Sequence, residues 1–125
     1  MPASTIKPED KRFILRLWAP VVIWMGAIFV FSSLPSRNIP SLFPLQDVFF
    51  HGIIYAGLAW VFMRAAKNTF LGLSPLKLIF LTVIFCTVYG LCDEFHQSFV
   101  PGRDASLFDV AIDLLGAFMG SLFYR

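Results

Sequence analysis

The chain has 125 residues, enough for one domain, and 58% of them are hydrophobic against 14% charged. An average soluble domain is roughly 45–50% apolar and about 25% charged, so a water-soluble globule of this size could not hide 15 Phe and their aliphatic neighbours. The net charge of +2 comes from dispersed Lys and Arg residues, which excludes an electrostatic nucleic-acid binder and leaves an all-α, polytopic membrane protein with lipid as its main solvent.

Residues 1–16 are polar and basic and are expected to form a cytoplasmic N-terminal segment, with residues 17–125 as the transmembrane domain. Residues 17–36 contain no Asp, Glu or Lys and reach Ser36 before the next Arg. Twenty residues make about 30 Å of helix, the thickness of the hydrocarbon core. The run is too long for a signal-peptide core and more apolar runs follow, so it reads as an uncleaved signal anchor. Three prolines in residues 34–44 then break the helix and predict a loop. A second span is expected over residues 45–66 and a third from about residue 76 to residues 94–99. Pro101-Gly102 is the turn that ends the third, and a fourth span is expected over residues 106–124. Cys86 and Cys92 fall six residues apart on the third span, about 9 Å along its axis, too far for a disulfide.

Four spans with short connections predict an antiparallel four-transmembrane-helix bundle. Lys7, Lys11, Arg12, Arg16, Arg64, Lys67, Lys77 and Arg125 belong to one side, and only Arg37 and Arg103 to the other. This bias places both termini in the cytoplasm. The first and third loops, and every acidic residue except Glu9 and Asp10, then lie at the outer end.

That end holds the polar residues whose presence in an apolar chain calls for a reason. Asp47, His51 and Tyr55 are spaced i, i+4, i+8 and share a stripe on the second helix, as Asp109 and Asp113 do on the fourth. On the third, Asp93 with Gln97 and Glu94 with Gln97 are helix-surface neighbours. Ionisable groups at membrane depth face a bundle interior or a wet cavity, so one shared outward-opening pocket is expected. Asp113 lies deepest, and an ion pair between Arg103 and a carboxylate is the first structural expectation, with Pro101 and Gly102 aiming Arg103 over the pocket. His96 is expected to be solvated at the interface. No HExxH or paired-Cys spacing occurs, so neither a metal nor a cofactor is expected, and no nucleophile elbow is present.

Taken together, Asp47-x-x-x-His51-x-x-x-Tyr55, Asp93-Glu94-x-x-Gln97-x-Phe99-x-Pro101-Gly102-Arg103 and Asp109-x-x-x-Asp113-x-x-Gly116 resemble the VanZ-like family. These are small bacterial membrane proteins named after a teicoplanin-resistance protein. The resemblance covers roughly residues 17–124. Two positions depart from the family pattern: Val48 stands where Lys is usual, and Asp113 where Asn is usual. Both make this outer end more acidic, unless a protonated Asp113 takes the part of Asn.

The resemblance and the topology together imply a bacterial inner-membrane protein whose pocket binds, or modifies, a cell-envelope lipid, a lipid-linked head group or a glycopeptide. In a catalytic version Glu94 would be the general acid or base and His51 its partner. Asp47, Tyr55, Asp93, Gln97, Arg103, Asp109 and Asp113 would bind and position the ligand. The alternatives are a structural or partner-binding membrane subunit and a component of a cation or proton pathway. The oligomeric state is open.

Overall fold

A computed structural model describes residues 10–124. The expected N-terminal segment lies outside the described residues as far as residue 9, as do Lys7 and Arg125. Four helices follow in order: α1 (Lys11–Ser32), α2 (Gln46–Thr69), α3 (Pro75–Gln97) and α4 (Leu107–Phe123). Among the described residues there is no strand. Helices α1, α2 and α3 are long and apolar enough to cross a membrane. The 17 residues of α4 make about 26 Å of helix, at the short end of what spans a bilayer.

The helix ends follow from local chemistry. Asp10 caps α1 by accepting the Arg12 N–H at 3.0 Å, and this, with the good helix formers Lys11, Arg12 and Arg16, starts the helix well before the expected residue 17. It also ends sooner than residue 36, because Leu34 precedes Pro35 and is pushed out of helical geometry. Pro20 sits inside α1, a tolerated placement in membrane helices. Ser74 caps α3, with Pro75 at its first position, and Ser106 caps α4. α2 begins differently: Leu45 precedes it in left-handed geometry with φ 59° and no side-chain cap. The Gln46 side chain instead binds the loop, donating to Pro40 C=O at 2.8 Å and accepting the Leu42 N–H at 2.6 Å.

Successive helices run antiparallel. Trp18 near the start of α1 meets Phe62 and Thr69 near the end of α2, while Trp24 donates to Ile54 C=O at 2.9 Å. Phe62 stacks on Phe85 of α3 at 4.3 Å. α2 touches all three other helices, whereas α1 and α4 do not pack on one another. Its closest partner is the parallel helix α4. A Cβ at Gly116 would run into the Gly52 carbonyl and one at Gly120 into the Ala56 carbonyl. Gly52-x-x-x-Ala56 thus packs on Gly116-x-x-x-Gly120, the small-residue spacing that lets membrane helices approach backbone to backbone. Leu58, Ala59, Ala65, Ala66, Cys86 and Ala117 are fully buried. Large apolar side chains such as Phe29, Trp60, Phe80 and Phe118 stay exposed on every helix, as lipid contact requires.

Candidate functional site

The end of the bundle where α1 and α3 finish and α2 and α4 begin, expected from the charge bias to be the outer one, gathers polar groups from all four helices. Asp113, which is 0% exposed, has Oδ1 at 2.8 Å from His51 Nδ1, and this is the only ion pair among the described residues. Gly90 makes the room: a Cβ there would sit 2.9 Å from Asp113 Oδ2. Asp93 accepts a hydrogen bond from Ser32 Oγ at Oδ1 and one from Gln97 Nε2 at Oδ2, 3.3 Å away. Gln97 Nε2 also lies 3.4 Å from Ser32 Oγ, and the Tyr55 hydroxyl is 3.5 Å from Asp93 Oδ2. Glu94 Oε2 accepts the Ser106 N–H at 2.9 Å, tying α3 to the first turn of α4.

Arg103 makes none of the expected carboxylate contacts. Its Nε donates to Leu34 C=O at 3.1 Å and its Nη2 to Phe31 C=O at 3.2 Å. A helix leaves its last carbonyls short of intrahelical donors, and the guanidinium adds a donor to one of them, Phe31, and to Leu34 just past the end of α1. Asp113 therefore pairs with His51 in place of Arg103. Gly102 makes the turn with φ +75°, its Cα facing the Ser36 hydroxyl with no space for a side chain, and this brings Arg103 back under α1. Pro101 is exposed beside it. His96 is also packed instead of solvated: its ring stacks on Phe29 at 4.6 Å, and its Nε2 is 2.9 Å from Ser33 Oγ.

A cleft with two limbs opens at this end. The inner limb, of about 190 Å³, has an apolar wall formed by Ile28, Phe31, Phe50 and Ile54, and its polar wall includes Tyr55 and Asp93. The outer limb, of about 570 Å³, is a polar mouth that includes Asp104, Asp109 and Gly102. Asp47, His51, Gln97 and Arg103 border both limbs. Glu94 and Asp113 line neither limb and stand behind His51. The expected Glu94–His51 pair is thus replaced by a direct His51–Asp113 bond, with Glu94 alongside. One ligand-type atom from each of His51, Glu94 and Asp109 lies within 4.8 Å of the others, so α2, α3 and α4 each bring one metal-ligating side chain to a common point.

Sequence reasoning passed over Ser32, Gln46 and the two small-residue pairs. Ser32-Ser33 at the end of an otherwise apolar run was the available signal for the first, and the i, i+4 repetition of Gly and Ala for the last.

The model of one protein family, VanZ/LLP1, matches residues 17–125, nearly the whole chain. The chain belongs to the VanZ/LLP1 family. Searches of curated proteins and of solved structures found no match. The matched region contains the four helices' outer ends and both limbs of the cleft, so the polar cluster lies within the part of the chain that defines this VanZ/LLP1 protein.

Proposed function

We propose that this VanZ/LLP1 membrane protein binds a cell-envelope lipid, or the head group of a lipid-linked envelope precursor, in the two-limbed cleft. The observation that carries the reading is that the two limbs share a border: the limb walled by Ile28, Phe31, Phe50 and Ile54 and the polar mouth are both lined by Asp47, His51, Gln97 and Arg103. A lipid has the same division between chain and head group. Binding sites of this kind bury apolar surface and fix orientation with a few polar groups. Phe31, Phe50 and Leu42 are open to the surroundings, which gives an acyl chain a way in from the bilayer.

The bias of Lys and Arg toward the other end of the bundle favours cytoplasmic termini and a cleft at the outer face of a bacterial inner membrane. Lipid-linked peptidoglycan precursors, and the glycopeptides that seize them, are met at that face, in keeping with the teicoplanin resistance for which the family is named. A cation or proton pathway is disfavoured because, between Tyr55 or Asp113 and the basic residues Arg64, Lys67 and Lys77, the spans have no Asp, Glu, His, Lys or Arg.

Native mass spectrometry of the chain purified from membranes tests the reading. Wild type is expected to retain a specific lipid class, and Ile54→Trp, which fills the inner limb, is expected to lose it while staying monodisperse. Identical lipid profiles would overturn the proposal. Cation flux into vesicles holding the chain alone would favour the pathway alternative.

A further inference from the structure

The arrangement behind the mouth has more carboxyl acceptor capacity than its hydrogen bonds use. Glu94 is 5% exposed and Asp113 is 0% exposed, yet Glu94 Oε1 and Asp113 Oδ2 have no hydrogen-bond partner. Leaving a buried charge uncompensated costs on the order of several kcal/mol. Arg103, the nearest strong cation, is spent on the carbonyls of Leu34 and Phe31. His51, Glu94 and Asp109 meanwhile present one nitrogen and two oxygen ligand types within 4.8 Å of one another.

We infer that His51, Glu94 and Asp109 form a binding site for one first-row divalent cation of the Zn²⁺ or Mn²⁺ class, with Asp113 holding the imidazole in position. Three observations converge on it. First, the ligands come from three different helices, so the bundle fixes their spacing. Second, Glu94 Oε2 is held by Ser106 N–H, which leaves the buried, unpartnered Oε1 available to an ion. Third, His51 Nδ1 is engaged by Asp113, the carboxylate–histidine pairing that fixes the tautomer and raises the basicity of a metal-ligating imidazole. Atoms sharing an ion at about 2.1 Å lie at most about 4.2 Å apart, so a small rotation of Asp109, which is half-exposed at the start of α4, completes the set. Imidazole with carboxylates favours Zn²⁺ or Mn²⁺ over Mg²⁺ or Ca²⁺, which prefer oxygen alone.

His51 and Asp109 both border the mouth, and three protein ligands leave a coordination position open toward it. A head-group phosphate oxygen would bind there. That extension rests on the lipid reading, and metal binding measured without added lipid lets the two fail separately.

The experiment is a Co²⁺ titration of the chelator-stripped, detergent-purified chain, followed by visible absorption and by displacement with Zn²⁺. One Co²⁺ per chain is expected. Asp109→Asn, His51→Ala and Glu94→Gln should each weaken binding about tenfold or more, and Asp113→Asn should weaken it less. His96→Ala, which removes the other histidine, should bind as wild type does. Asp109 is the decisive position because its half-exposed side chain can change without unfolding the chain, as circular dichroism of Asp109→Asn will verify. Absence of stoichiometric binding to folded wild type would overturn the site, as would wild-type affinity in folded Asp109→Asn or loss of binding in His96→Ala.

Discussion

The two ends of the bundle satisfy their buried polar groups in opposite ways. Toward the inner end, hydroxyls return to their own helix: Thr69 donates to Ala65 C=O, Thr82 to Leu78 C=O and Ser121 to Phe118 C=O, each at 2.7 Å. Only Thr69 also engages a neighbouring helix, accepting the Trp18 indole N–H at 3.0 Å, so packing there rests mainly on apolar contact. At the outer end, Ser32–Asp93, His51–Asp113 and Glu94–Ser106 all run between elements. Helix positions there depend on side-chain chemistry, and the unfilled acceptor capacity lies just behind the cleft. The small-residue contact of α2 with α4 begins at Gly52, beside His51, and runs on to Gly120, so close backbone packing continues from the polar cluster into the apolar part of the bundle.

The largest effect is expected from spoiling the small-residue contact between α2 and α4, just below the polar cluster. Gly120→Val would drive a side chain into the Ala56 carbonyl, and backbone yields less readily than a flexible side chain. We expect a loss of about 3 kcal/mol, at the upper end of overpacking costs, seen as a lower unfolding temperature and loss of monodisperse protein in detergent. Wild-type stability in this variant would show that α2 and α4 do not depend on close approach.

A smaller effect is expected at the outer end, where chemistry matters more than volume. Asp113→Ala removes the acceptor of His51 Nδ1 and leaves a partly buried donor without a protein partner, which costs about 1 kcal/mol, the low end for such a loss. Asp113→Asn keeps a carbonyl acceptor of the same shape and should cost under about 1 kcal/mol on the same scale. Thermal unfolding of the two variants side by side decides the point, and equal losses would mean that the carboxylate's charge is what holds the pair.

The spans were legible because a soluble domain of this size has no interior large enough for several uninterrupted apolar runs of membrane length. The positions of Asp47, His51, Tyr55, Asp109 and Asp113 on shared stripes follow from helical period alone. Partners across helices were not legible. Arg103 was expected to seek a carboxylate because acidic side chains are visible in a sequence, whereas the carbonyls of Leu34 and Phe31 that it binds exist in every residue. The early start of α1 is hidden because Lys11, Arg12 and Arg16 argue against membrane but not against helix. The grouping of His51, Glu94 and Asp109 escapes a search for metal spacings because each helix contributes one residue, so no spacing along the chain encodes it.

Tyr55 stands at the border between the two ends and provides the finest test of where one gives way to the other. Its ring is 1% exposed and lies 6.5 Å from the ring of Tyr89, as core packing would have it. Its hydroxyl reaches toward Asp93 Oδ2, but at 3.5 Å, the outer limit of a hydrogen bond. Asp93 already accepts from Ser32 and Gln97. The ring should therefore dominate. Tyr55→Phe is expected to change stability by less than about 0.5–1 kcal/mol, the low end for a net hydrogen bond, while Tyr55→Ala should cost about 3–5 kcal/mol as other aromatic truncations do. If Tyr55→Phe destabilises the bundle as much as Tyr55→Ala, the hydroxyl belongs to the interhelical network in full and the polar end reaches one turn deeper than the hydrogen bonds indicate.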